Sequence, residues 1–337
     1  MENSYDVSKV RTRIGWVDYV KVFGIFCVLL GHNNLANEHI TQYIFSFHIP
    51  LFFLLSGYLY KQTDFKSAFL KTVKTLIIPY ILINFVCLAY VSLFSIRDGL
   101  FGWDFLISRL GAIALGLGYP AYNLYPVCYP LWFLIALFID RFILSLCKTE
   151  VHHIVTFFIS ITICICFRFC KIDTLIPIDS ALLAYPFLIL GLYIKNLFNT
   201  LFNVRYFIRF IISILLIFLT ILINRINGPV DINNMIWGND MLLFYMCGLF
   251  FFVAIVMIFG PLKWGRVICV FSSGTILMMG FGNILTEIVL WLYNHFIVCH
   301  IDFSYFTGPL VVLIVMLICV LLTVFCRKYF PAILGYR

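Results

Sequence analysis

Charge is what this sequence has least of. Asp, Glu, Lys and Arg make up only 11% of its 337 residues, against roughly 25% in ordinary soluble domains. With 63% hydrophobic residues and a mean hydropathy of +1.05, the chain cannot hide its apolar surface in a water-soluble core. Short alternating strands are also missing, which excludes a transmembrane barrel and leaves helices as the spanning element. No cleavable signal peptide is expected, because the first fifteen residues are polar and basic and the following run is too long for a signal h-region and lacks a small-x-small exit. The twelve cysteines form no CxxC pair with histidines nearby, so no metal centre is expected. They read as small apolar residues, with a disulfide at Cys128 or Cys299 as the alternative for those two.

What is present is a series of apolar runs of spanning length, at about 15–35, 42–60, 72–95, 129–147, 151–170, 178–197, 205–224, 240–260, 266–292 and 307–326. The expectation is an all-α polytopic integral membrane protein of about ten transmembrane helices, with one membrane domain over 1–337 that includes a basic tail, 1–14. Assigned by span order, 18 of the 23 Lys and Arg fall on one side, which places the N- and C-termini in the cytoplasm, and the expected location is the cell inner (plasma) membrane as a multi-pass chain. The formal net charge of +8 is therefore a topology signal and calls for no nucleic-acid partner.

Within residues 16–60 two spans carry ionisable side chains that lipid does not tolerate without a reason: Lys21 and His32 in the first, His48 in the second. Lys21 and His32 are eleven residues apart, close to three helical turns, so they share a face with about 16 Å between them along the axis. Asp18 and Gly24 lie on the same side, and Ile25 and Val28 fill the turns between. Asp18 and Lys21 are either a structural ion pair near a helix end or part of a site, and His32 either caps its helix at the interface or does chemistry. A short polar loop makes the first two spans a hairpin, which brings His32 beside His48. Pro50 should bend the second span and put His48 next to freed carbonyls, which would satisfy the ring without any further role.

Lys61, Lys66, Lys71 and Lys74 follow at the cytoplasmic surface, where they bind either anionic membrane lipid or a phosphorylated ligand. The long outer connection, 96–129, holds Trp103, Tyr119, Tyr122, Tyr125 and Tyr129, with a helix at 105–117 lying in the interface. Its rings are either a membrane belt or a lid that stacks on sugars. Tyr129, and Trp132 in the PLWFL string, are candidate substrate contacts. An Asn-rich outer loop over 224–240 offers Trp237, Asn239 and Asp240 to a hydroxylated substrate, with ordinary solvation as the simpler account. In the ninth span Asn283 and Glu287 share a face one turn apart, and a buried Glu287 would need His32 or His48 as partner. His295, His300 and Asp302 look solvated.

Taken together, WVDYVKVFGIFCVLLGH and FSFHIPLFFLLSGYL resemble the membrane-bound acyltransferase-3 family, whose members acylate cell-surface polysaccharides and lipid-linked sugars. Lys21-x10-His32 is similar to that family's Arg/Lys-x10-His signature, and KTLIIPYIL, PLWFLIAL and YPFLILGLYIK resemble later blocks in the expected order. One position departs. Where many relatives carry a histidine seven residues after the Thr of SGTILMMGFGN, this chain has Gly282, followed by Asn283. No attached soluble hydrolase-like domain is expected.

The resemblance implies acyl-CoA, in the first place acetyl-CoA, as donor, and a sugar hydroxyl of a polysaccharide or lipid-linked glycan as acceptor. Lys61, Lys66, Lys71, Lys74 and Arg13 would hold the CoA phosphates. His32 would act as general base, with His48, Lys21, Asp18 and Glu287 completing the catalytic set and Asn283 among the substrate contacts. The competing class is a transporter or flippase for a lipid-linked sugar. Against it, the halves show no internal repeat and no matching pair of Gly/Pro-broken helices. A non-catalytic scaffold would leave Lys21, His32 and His48 unexplained.

Overall fold

The computed structural model describes residues 14–32, 35–172, 174, 176–262, 265–296 and 307–335. Among these, helices account for nearly everything and no strand forms beyond two isolated bridges. Nine helical spans are long and apolar enough to cross a membrane, ten when a pair bent by 51° is taken as one. The chain is thus an all-α polytopic membrane protein, and its spans follow the expected ten in order. Arg13, Cys299, His300 and Asp302 lie outside the described residues.

Besides the sixth, which is the pair bent by 51°, three expected spans are interrupted, each for a local reason. The second divides into α2 (Glu38–Phe45) and α3 (His48–Tyr58). Pro50 has no N–H to offer the Ser46 carbonyl, so the chain turns at Ser46 and Phe47, whose N–H groups bond back to Tyr43 and Ile44. The Phe47 ring stacks on Phe251 at 3.5 Å, which anchors the break. The third span starts earlier than expected, with α4 (Phe65–Thr72), and widens into one π turn at Val73–Ile77 before α5 (Ile78–Arg97). Pro79, at the start of α5, withdraws the N–H that would have kept the tighter turn.

The ninth span breaks at Gly274 into α13 (Arg266–Ser273) and α14 (Thr275–Phe296). Ser273 and Thr275 hydroxyls bond to Val270 O and Ser272 O, so the SSGT string competes with its own helix.

The remaining elements are α1 (Gly15–His32), α6 (Trp103–Leu115), α7 (Trp132–Leu146), α8 (Glu150–Cys170), the bent pair α9 (Ile178–Tyr193) and α10 (Lys195–Leu201), α11 (Tyr206–Asn227), α12 (Met241–Phe259) and α15 (Thr307–Tyr329). The helix expected in the long connection is α6, two residues earlier than its predicted bounds and closed by Gly116 at φ 74°. Its Trp103, Ile107 and Leu110 are exposed, as an interfacial helix requires.

Helix α3 is the axis of the bundle: every residue but Phe52 is buried, and α1, α9 and α12 surround it. It runs antiparallel to α1. Trp16 meets Tyr58 at one end, with ring centroids 4.9 Å apart, and His32 meets His48 at the other, 5.4 Å apart. Against α9 it packs backbone to backbone. A Cβ on Gly57 would strike the Leu188 carbonyl, and one on Gly191 would strike the Leu54 carbonyl. Small residues at such crossings let transmembrane helices gain van der Waals contact where lipid supplies no hydrophobic drive.

This reciprocal contact predicts that Gly191→Ala destabilises the protein by about 1–3 kcal/mol, because the collision is with backbone that cannot rotate away. Gly102→Ala, where a Cβ meets nothing within 4 Å, should leave the unfolding temperature unchanged. Thermal unfolding in detergent measures both, and equal effects at the two sites would refute the crossing.

Candidate functional site

His48 opens α3, immediately after the helix break, and its ring takes up a carbonyl that the break releases. Nδ1 lies 2.8 Å from Ile44 O. A carbonyl can only accept, so Nδ1 carries the proton and Nε2 carries the lone pair. That Nε2 is buried and has no hydrogen-bond partner among the described residues. The carbonyl account of His48 therefore holds for one ring nitrogen and not for the other. His32, the last residue of α1, presents its ring at 78° to that of His48, and Phe45 packs on both at 5.0 Å.

The two histidines line one cavity of about 450 Å³, within the range of small-molecule sites. Tyr129, Trp132 and Asn283 line it as well. Trp132 begins α7 and is buried, Tyr129 is exposed, and Asn283 lies half-buried on α14. With Tyr119 of the same outer connection, six residues singled out in the sequence, scattered over about 250 positions, thus converge.

The same cavity contains residues that the sequence did not single out: Asp231, Asn233 and Asn234, from the loop between α11 and α12. Their position follows from a tight turn in which Asp231 and Ile236 exchange two backbone hydrogen bonds of 2.8 Å and Met235 adopts φ 56°. Asp231 accepts from Asn233 N at 3.0 Å and from Asn234 Nδ2 at 2.6 Å. Burial pushes its carboxyl above the usual carboxylate range, and these two donors hold it partly back. Ser180 of α9 fastens the turn through a 3.2 Å bond to Asn233 O. The signal available beforehand was the DINN string after Gly-Pro, a turn motif whose Asx geometry is readable but whose direction is not.

The residues expected from that loop serve elsewhere. Trp237 is buried with the Arg168 guanidinium 4.4 Å above its ring. Asn239 donates to Ile226 O, and Asp240 caps α12 by accepting from Leu242 and Leu243 N–H. They build the scaffold that aims Asp231 and Asn233.

Asp18, Lys21 and Glu287 are not among the cavity residues. Asp18 is buried near the opposite end of α1 and accepts a 2.5 Å bond from Ser272 Oγ of α13. Lys21 is half-buried one turn above it. Glu287 is exposed and lies beside Tyr90 of α5, which corrects the expectation of a buried carboxylate paired with a histidine. One turn beyond Asn283 the face of α14 has already left the cavity, because α14 packs on α5 as well as on α1. The carboxyl group in the cavity is Asp231. His295 is exposed, stacked on Trp291 at 5.3 Å.

Lys61, Lys66, Lys71 and Lys74 are all exposed, on α4 and the segments flanking it, at the end of the bundle opposite to the histidines. Asp64 caps α4 through Ser67 N. Phe65 and Phe69 seat α4 against Phe138 and Phe142 of α7. Between those two phenylalanines Arg141 reaches inward and donates from Nε to Ser56 Oγ of α3 at 3.0 Å, a cation the sequence showed only as a topology signal.

Gly282, the departure from the family pattern, is a packing position. A Cβ there would run into Leu29 Cδ2 of α1, one turn before His32, and the polar side chain at the cavity comes from its neighbour Asn283.

Among families of known proteins, a model described as an acyltransferase domain matches residues 14–327. The chain belongs to this acyltransferase-3 family. No curated protein and no solved structure matches it.

Restoring the missing imidazole should therefore harm the protein. Gly282→His is expected to push α14 off α1 and cost about 1–3 kcal/mol of stability, and Leu29→Ala in the same chain should recover part of it. Thermal unfolding of the single and double variants tests this, and a Gly282→His protein as stable as the parent would show that α1 and α14 do not meet here.

Proposed function

We propose that this membrane acyltransferase transfers an acyl group, in the first place acetyl, from acetyl-CoA at the lysine end of the bundle to a sugar hydroxyl at the histidine end. The acceptor is a cell-surface polysaccharide or lipid-linked glycan, and the location is the cell inner (plasma) membrane with the lysine end in the cytoplasm. The observation that carries the reading is the pairing of His32 and His48, ring centroids 5.4 Å apart, over a cavity lined with amide, carboxyl and aromatic side chains. Amides and carboxylates match the donors and acceptors of sugar hydroxyls, and rings such as Trp132 and Tyr129 match the apolar sugar faces.

On this reading Lys61, Lys66, Lys71 and Lys74, with Arg13 and the inward-reaching Arg141, bind the phosphates of the donor. Between the two ends the middle of α1 is apolar, with Ile25, Val28 and Leu29 packed inside the bundle. His48 Nε2, unpartnered as the structure stands, takes the ring proton of His32 once the neighbouring His32 ring turns toward it, which leaves the other His32 nitrogen as the base. It takes the proton of the sugar hydroxyl as that oxygen bonds to the thioester carbonyl carbon. The tetrahedral oxyanion, held by the donors Asn283 and Tyr129, then collapses. The carbon–sulfur bond breaks, and the imidazolium returns the proton to the departing thiolate, giving the sugar ester and free CoA.

His32→Ala is expected to lower transfer of labelled acetyl from acetyl-CoA to glycan by a factor on the order of 10²–10⁴, with the protein still inserted. His48→Asn separates two roles. Its amide N–H can replace Nδ1 on Ile44 O, but nothing replaces Nε2, so stability should persist while transfer falls about 10²-fold. Normal transfer in His32→Ala ends the proposal. Normal transfer in His48→Asn reduces His48 to a helix-break residue. Vectorial movement of a lipid-linked sugar without any ester would replace the enzyme by a transporter. Mass spectrometry of surface glycans with and without the protein identifies the acceptor by one acyl increment.

A further inference from the structure

A second cavity, of about 560 Å³, lies between α2 and the last turn of α11 and takes no part in the chemistry above. Its polar lining is His39, Gln42, Asn224 and Arg225, with Ile40 and Ile221 as apolar walls. The hydroxyl of Tyr43, which also borders it, is already engaged with Thr220 at 2.6 Å. Asn224 is only 7% exposed, and its Nδ2 has no hydrogen-bond partner among the described residues. A buried amide donor without an acceptor costs about 1–3 kcal/mol, so a site that holds one open is built for an acceptor. Arg225 is the one formal charge among the lining residues, and no acidic side chain lines the cavity among the described residues.

Depth specifies the ligand further. Helix α11 is 22 residues long and apolar enough to cross a membrane, with about 33 Å of rise, so its last turn lies at the edge of a hydrocarbon core of about 30 Å. That is the level of lipid phosphate. Ile221, which lines the cavity, and exposed Phe218 lie one and two turns before Arg225 on its own face of α11 and offer the surface along which acyl or prenyl tails would run. The negative end of the α11 dipole opposes an anion, but with roughly half an elementary charge against the full charge of Arg225. A neutral sugar would make no use of that charge.

We infer that this cavity binds the phosphate headgroup of a membrane lipid, with the Arg225 guanidinium and the Asn224 amide as its donors. The site is independent of acyl transfer, since Arg225 touches neither the histidines nor their cavity.

Native mass spectrometry of the full-length protein in detergent tests it, with dioleoylphosphatidate as probe, dioleoylglycerol as the same tails without phosphate, and inorganic phosphate as competitor. One phosphatidate should bind at least about tenfold more tightly than dioleoylglycerol. Arg225→Gln and Asn224→Leu should each remove about a tenfold share of that preference, and Arg225→Lys should keep most of it. Because Arg225 is exposed, Arg225→Gln should fold and transfer acyl groups like the parent. Equal binding of the two lipids, or an unchanged preference in both Arg225→Gln and Asn224→Leu, would overturn the site. Displacement by inorganic phosphate at concentrations equal to the lipid would assign the ligand to free phosphate and overturn the lipid.

Discussion

The hydrogen bond between His48 Nδ1 and Ile44 O, 2.8 Å long and entirely buried, is the contact on which the site depends. Lipid offers no water to a broken helix, so the carbonyls at the α2–α3 break are satisfied within the protein, and Ile44 O accepts from Phe47 N–H as well as from His48. His48 supplies its donor from the residue that opens the next helix. The same bond orients the imidazole and leaves its lone pair on Nε2, so a requirement of membrane folding also prepares an acceptor. The break itself is held from outside by Phe251 stacked on Phe47 and by Cys247, whose thiol reaches Ser46 Oγ at 3.4 Å. Displacing α12 would therefore move His48.

Close helix crossings then fix the two histidines relative to each other. Gly57 and Gly191 seat α3 on α9, and Gly282 lets α14 meet α1 just below His32. The two polar ends of the bundle are joined by an apolar middle, which keeps exposed lysines at one end and a cavity of amides and imidazoles at the other. The division follows from the bilayer, because a charge held in the apolar middle would cost several kcal/mol.

The sequence made much of this legible. Scarcity of charge and the length of the apolar runs determine the class and the number of spans, because a bilayer accepts few alternatives. Helical phase placed Lys21 and His32 on one face, and a short loop after α1 was enough to bring His32 to His48, since neighbouring spans joined by a few residues must lie antiparallel.

Tertiary structure decided what local rules cannot. Glu287 follows Asn283 by one turn, yet Asn283 faces the cavity and Glu287 does not, because α5 as well as α1 packs on α14. Asp231 and Asn233 enter the cavity while Trp237, Asn239 and Asp240 brace the loop, a sorting produced by the turn at Met235 and its attachment to Ser180. Asp18 is tied to Ser272, 254 positions away. Periodicity along one helix tells which residues share a face. Which neighbour covers that face is set by contacts between segments far apart in the chain, and those exist only once the bundle is assembled.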